Sequence, residues 1–144
     1  MRTILVLILM IICASTSFAL VGTRVDGVKL MNGPGYDNKQ VMDFPENTPL
    51  KVLAKAGEWW QVKDYWGAKG WVDKTLLNNK RMGVVMRSKA TLRSGPSTRY
   101  SKLRTLIQGY AVEIVQSKGR WYKIIVVDPS EGWEGWIHQS LIWG

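Results

Sequence analysis

Past residue 24 the chain settles into short stretches in which apolar and polar residues alternate, broken every few positions by Gly, Pro or Asn. A period of two is the signature of a strand with one face buried. Val28 to Leu30 predicts a short strand, and the N-G-P-G of Asn32 to Gly35 predicts a turn. Lys39 to Met42 predicts a second extended piece, ended by Pro45-Glu46-Asn47. From Leu50 to Ala54 the pattern places Lys51 outside and Leu50, Val52 and Ala54 inside. Ala56-Gly57-Glu58 is a hairpin turn into a strand from Trp59 to Val62. Gly67 to Lys69 turns again, Gly70-Trp71-Val72 opens a closing strand, and Asn78-Asn79-Lys80 reads as a linker. No ten-residue stretch beyond the N-terminal apolar run carries a helical stripe, so the expected fold class is all-β.

The same plan runs a second time. Gly33-Pro34 recurs as Gly95-Pro96 and Trp59-Trp60 as Trp121-Tyr122, each 62 residues on. Ala90 to Leu92 matches Val28 to Leu30, and Val112-Glu113-Ile114 matches Leu50-Lys51-Val52 with the charge again outward. Lys118-Gly119-Arg120 is the hairpin turn before Trp121 to Ile124. The register then slips, because Gly135-Trp136-Ile137 stands 65 residues after Gly70-Trp71-Val72. The extra residues fall in Asp128 to Gly132, a loop by composition, where an insertion is most easily absorbed. Five short strands in about 55 to 60 residues, punctuated by Gly and Pro, predict a small barrel. Two such barrels in tandem are expected over residues 20–80 and 81–144. A lone barrel of that length buries only about 60% of its unfolded surface, so dense aromatics and packing between the copies would both help to hold it.

The second unit reads S-K-A-T-L-R-S-G-P-S-T-R-Y (Ser88 to Tyr100), then G-R-W-Y-K-I (Gly119 to Ile124), then G-W-I-H-Q-S-L (Gly135 to Leu141). In that order these resemble the landmarks of the bacterial SH3 (SH3b) domain: its R-S-G-P-S turn, G-x-W-Y-K-V strand and closing G-W-V strand. The resemblance spans nearly all of Val84 to Trp143. The first unit, about Arg24 to Leu77, is similar but more divergent, with N-G-P-G for the turn while keeping G-E-W-W-Q-V and G-W-V. What the resemblance implies is a tandem of SH3-like β-barrels acting as a binding or targeting module without catalysis of its own. Relatives of that kind are attached to cell-wall hydrolases and are associated with peptidoglycan or other envelope partners.

The N-terminus and the charge sharpen this. Arg2, the apolar run from Ile4 to Ala14 and the S-F-A ending at Ala19 have the form of a secretory signal peptide over residues 1–19, cleaved before Leu20. The apolar run falls short of the ~20 residues that span a bilayer. An exported protein, periplasmic or secreted, is expected. Cys13, the lone cysteine, lies within that run after Ile12, which is not the small residue a lipidated cysteine needs, so the mature chain is expected to have no disulfide and no thiol. There are 20 Lys and Arg against 11 Asp and Glu. From Arg24 to Lys80 the count is nine against seven, and from Arg81 to Gly144 it is ten against four. Arg81, Arg87, Lys89, Arg93, Arg99, Lys102 and Arg104 all precede the first acid of the second unit, Glu113. Such a block is either a solvated face or an attractor of anions, which at a cell envelope means peptidoglycan carboxylates, phosphate-bearing wall polymers, lipopolysaccharide or phospholipid headgroups. Basic charge with aromatics also suits nucleic acid, but the export signal argues against that partner.

Candidate binding residues follow from strand alternation. If Val62 and Ile124 face the cores, so do Trp60 and Tyr122, leaving Trp59 and Trp121 outward in both copies. An outward Trp is either a platform for a sugar ring or extended peptide, or a cover for the barrel end or the junction between repeats. Its position also resembles the first Trp of the pair that lines the groove of eukaryotic SH3 domains. Trp66 and Trp133 stand in the loop before the closing strand, where an exposed aromatic would extend a groove. Tyr36 and Tyr100 follow the Gly-Pro turns, and Arg93 and Arg99 bracket the second turn where the first copy has Met31 and Asp37. The candidate ligand-binding set is Trp59, Trp121, Arg93, Arg99, Tyr100 and Trp133. Catalysis would rest on His138, the only histidine, with no nucleophile motif beside it. No His/Cys cluster suggests a metal, and Asp128, Glu131 and Glu134 carry no pairing signature. The expectation is a non-enzyme with no cofactor. Its partner is then a cell-wall glycan or its peptide, or an envelope protein whose extended or Pro-rich segment it docks.

Overall fold

Two antiparallel sheets are built from these alternating stretches in a computed structural model that describes residues 19–144. The expected signal peptide lies outside the described residues except for Ala19. The first sheet comprises β1 (Val21–Gly22), β2 (Val28–Met31), β3 (Gln40–Phe44), β4 (Pro49–Ala56), β5 (Trp59–Lys63) and β6 (Lys69–Asp73), in the order β1-β4-β5-β6-β2-β3. The second comprises β7 (Met82–Val85), β8 (Ala90–Arg93), β9 (Lys102–Leu106), β10 (Ala111–Lys118), β11 (Trp121–Asp128), β12 (Glu134–His138) and β13 (Ile142–Trp143), in the order β13-β7-β10-β11-β12-β8-β9. A single 3₁₀ turn follows β6 (Lys74–Leu76) and another follows β12 (Gln139–Leu141). The architecture is the expected all-β tandem of two small barrels.

Each unit has its own core, and the two match position for position. Val28, Leu30, Phe44, Leu50, Val62 and Val72 in the first correspond to Ala90, Leu92, Leu106, Val112, Ile124 and Ile137 in the second, all buried. One expectation fails in the same place. Ala54 is exposed rather than inward, because a β-bulge between Val52 and Ala54 shifts the register of β4 against β5 by one residue. A matching bulge lies between Ile114 and Gln116 of β10, and the extra residues Leu53 and Val115 are left exposed. The hairpins beyond the bulges turn through Gly57 (φ 60°) and Gly119 (φ 59°), the first-position glycine that a tight two-residue loop requires.

The glycine that opens each G-W strand has a different reason. A Cβ on Gly70 would stand 2.5 Å from the carbonyl oxygen of Met31, and one on Gly135 would stand 2.7 Å from that of Arg93. Only a bare Cα lets β2 close on β6 and β8 on β12, each pair joined through Met31–Trp71 and Arg93–Trp136.

The seam between the units was not legible in the alternation. Leu20 to Thr23 is extended and precedes the first predicted strand. Val21 and Gly22 pair with Leu50 and Pro49, and buried Leu20 accepts a hydrogen bond from the Met82 N–H at 3.0 Å. Leu20 and Met82 are 62 residues apart, so equivalent residues of the two repeats pair antiparallel with each other, the arrangement a local two-fold axis produces. The expected linker is pinned here too. The Asn78 N–H donates to Gly22 O at 2.8 Å, and its Oδ1 accepts from the N–H groups of Gly22 (3.2 Å) and Lys80 (3.1 Å).

Gly70→Ala and Gly135→Ala should each lower stability by about 1–3 kcal/mol through overpacking, measured by urea unfolding. A loss below about 0.5 kcal/mol, the range of neutral surface changes, would show that the facing strands part freely.

Candidate functional site

Trp121 opens β11 opposite His138 of β12, and Tyr122 beside it packs against the second core. Trp121 is half-buried, with its ring edge-to-face against the His138 ring at 5.3 Å and 83°. Lys89, Thr91, Arg93, Thr98 and Leu141 complete a depression of about 230 Å³ around it.

Arg93 reaches this depression while closing the neighbouring loop. Its Nη1 donates to the carbonyl oxygens of Thr98 (3.1 Å) and Tyr100 (3.0 Å), leaving the other guanidinium N–H groups without a partner among the described residues. Inside that loop the Tyr100 ring lies where a side chain on Gly95 would be, 2.3 Å from the position of a Cβ, so glycine is required there. Arg99 and Tyr100 join Pro96, Ser97 and Lys118 around a separate depression of about 490 Å³. The structure therefore gathers Trp121, Arg93, Arg99 and Tyr100 around one loop, residues 94–101. Lys89 and Thr91 stand four and two residues before Arg93 on its own side of the strand and Thr98 lies within the loop, whereas Lys118 and Trp121 reach them from a hairpin distant in sequence.

Trp133 stands elsewhere. It precedes β12 at the end opposite His138, packs against the second core beside Tyr110, and lies under the Arg104 guanidinium at 4.0 Å. Its carbonyl accepts from the Val126 N–H, as that of Ala68 does from Asp64 in the first repeat. Trp133 thus fills the place of Ala68, not of Trp66. Trp59, also half-buried, meets Tyr36 edge-to-face at 4.7 Å, with the Tyr36 hydroxyl donating to Asp73 Oδ2 at 3.3 Å.

The two outward Trp residues therefore have different electrostatic settings. Lys89, Arg99 and Lys102 have no carboxylate within ion-pair distance among the described residues, where the pairs are Lys74–Glu58 and Lys123–Glu134. The position opposite the Trp is Asp73 in one repeat and His138 in the other. Both cap the following 3₁₀ turn. Asp73 Oδ1 accepts from the Thr75 N–H and hydroxyl at 3.0 and 2.7 Å, and His138 Nδ1 meets the same groups of Ser140 at 3.2 and 2.7 Å. The close His138–Ser140 contact is thus the second copy of a helix cap, and that accounts for it without a nucleophile and base. Among the described residues no three His, Cys, Asp or Glu are grouped to hold a metal ion. Desolvation, and next the Asp73 charge with its hydrogen bond, raise the Tyr36 phenol above its ordinary pKa. For Asp73 burial pushes the carboxyl up, but hydrogen bonds from Thr75 and Tyr36 outweigh it and hold it below the usual carboxylate value.

Comparison with known proteins meets this fold directly. The chain belongs to the bacterial SH3 domain family, whose model matches residues 26–78 and again 88–142. It is 25% identical over 142 residues to the "Putative N-acetylmuramoyl-L-alanine amidase YrvJ" of Bacillus subtilis (strain 168), an alignment covering 91% of this chain and 26% of that protein. The chain thus spans about a quarter of the length of that relative. Among solved structures it resembles NlpC1 from Trichomonas vaginalis (18% identity, TM-score 0.38, 91% of this chain and 48% of that one). It also resembles an NlpC/P60 family protein from Bacillus cereus ATCC 10987 (14% identity, TM-score 0.39, 87% and 56%).

Tyr36→Phe removes a hydrogen bond that favours the charged form of Asp73, so the Asp73 carboxyl should titrate at a higher pH in the variant, read by ¹³C NMR. A depressed carboxyl contributes stability that is present at neutral pH and lost as pH falls through its folded-state value. The variant should therefore lose that contribution at a less acidic pH. An unmoved midpoint would exclude the Tyr36 hydroxyl as a cause.

Proposed function

We propose that the chain is a non-catalytic binding module of an exported protein, holding peptidoglycan or an anionic polymer attached to it through the loop 94–101 face. The observation that carries this reading is an aromatic ring, Trp121, set in a depression whose rim carries Lys89 and Arg93, with Arg99 and Lys118 beyond the same loop. A flat apolar ring stacks on the CH face of a sugar, and uncompensated cations draw carboxylates and phosphates to it. Membership of the bacterial SH3 family and likeness to part of an amidase support an envelope ligand. The second repeat is the binding copy, because Trp59 is flanked by Asp73 and Tyr36 instead.

The purified protein should sediment with isolated sacculi, and Trp121→Ala should weaken this by up to about tenfold, in line with the energy of a ring–ring contact. Raising the salt concentration should weaken it further, since exposed charges are screened. Wild-type protein that stays in the supernatant, or a variant that sediments equally well, would count against the reading. Crosslinking in cells to one dominant envelope protein, without sedimentation, would favour peptide docking instead.

A further inference from the structure

A third depression, a cleft of about 210 Å³, opens where the two repeats meet, between Met42, Asp64, Tyr65 and Trp66 of the first repeat and Gly109 and Asp128 of the second. Trp66 is 72% exposed, more than any other large apolar side chain among the described residues. It is nevertheless held in place. Its ring meets Tyr65 edge-to-face at 4.9 Å and 73°, and its Cζ2 lies 3.0 Å from where a Cβ on Gly109 would stand. Tyr65 is fixed in turn by the second repeat, its hydroxyl accepting from Gln108 Nε2 at 2.9 Å and its ring tilted against Trp143 at 5.6 Å. A large open aromatic surface is thus positioned by contacts from both units, so little ordering remains to be done on binding.

The charge of this cleft is opposite to that of the molecule. Asp64 is only 6% exposed, yet lines it. Its Oδ1 accepts from the Ala68 N–H at 2.7 Å, while Oδ2 has no partner among the described residues. That oxygen therefore keeps access to the cleft, since among the described residues no side-chain oxygen is both buried and without a partner, and it can accept from a donor or cation that enters. Asp128, exposed, contributes a second carboxylate, and among the described residues no Lys or Arg lines the cleft although the chain has a formal charge of +9. An indole face beside two carboxylates is the chemistry that receives an ammonium ion. Apolar side chains, Met42 and Phe44 among them, line the same cleft as Asp64. A slender aliphatic stem can follow such a wall with its charge at the tip.

We propose that this inter-repeat cleft binds the primary ammonium of a lysine-like side chain on a peptide, with Trp66 as the platform and Asp64 and Asp128 as acceptors. The site is distinct from the Trp121 depression and does not depend on it. The test is an NMR titration of the purified protein with a pentapeptide, blocked at both ends, carrying one central lysine, and with the same peptide acetylated on its ε-nitrogen. The lysine peptide should shift the Trp66 indole resonance, and acetylation should weaken binding on the order of tenfold or more, as expected for loss of a desolvated cation–π contact. Trp66→Ala and Asp128→Asn should weaken it comparably. Asp64→Asn, which keeps the acceptor for Ala68, should do so without unfolding the protein. Trp121→Ala should bind the peptide unchanged even where it no longer sediments with sacculi, so failure at one site is distinguishable from failure at the other. Equal binding of the acetylated peptide, undiminished binding by Trp66→Ala, dependence on Trp121, tighter binding of glucosamine than of the peptide, or no binding at all would each overturn the proposal.

Discussion

The contact between a glycine Cα and the carbonyl of the strand beside it holds each unit in its shape. Gly70 against Met31 and Gly135 against Arg93 set how closely the β2–β3 and β8–β9 hairpins fold onto the rest of their sheets. In the second repeat this reaches the binding face. Arg93 is bound through its backbone to β12, and through its guanidinium to the loop that carries Arg99 and Tyr100. A shift of β8 away from β12 would move the loop, its cations and the rim of the Trp121 depression together.

The two repeats show which parts of the scaffold are free to vary. Their core positions, bulges, hairpin glycines and 3₁₀ caps coincide, with Asp73 and Thr75 exchanged for His138 and Ser140 at the cap. The loops that the scaffold presents do not coincide. Where the second repeat has Arg93, Arg99 and Tyr100, the first has Met31, Asp37 and Asn38, and Asn38 takes the place of the Tyr100 ring over the loop glycine. One backbone thus carries a basic aromatic face in one copy and a phenol–carboxylate pair beside its Trp in the other.

The alternation made most of the fold legible, because burial on one face of a strand repeats every second residue whatever lies beyond it. It failed at Ala54, where a bulge adds a residue that periodicity does not register. It also failed at Leu20 to Thr23, where the strand is short and its partners are distant. The residues around Trp121 were partly legible. Trp121, Arg93, Arg99 and Tyr100 stood out by repeat and by charge, and Lys89 belonged to the same basic block, while Lys118 joins them only through folding. The direction of Trp133 could not be read beforehand, for a simple reason. A Trp in a loop has no periodicity to reveal its direction, and this one fills the space that Ala68 fills in the first copy. The inter-repeat cleft was invisible beforehand, since its two walls belong to different units.

The pairing of Leu20 with Met82 also bears on how such a protein grows by duplication. Because each residue is the other's counterpart, the seam uses the same edge on both copies and closes on itself. A head-to-tail junction would leave one edge free at each end and admit a third unit, then a fourth. Here the bridge uses the equivalent residue of each copy, so this junction offers no place for a third unit. A further repeat in any longer protein would have to attach through another surface.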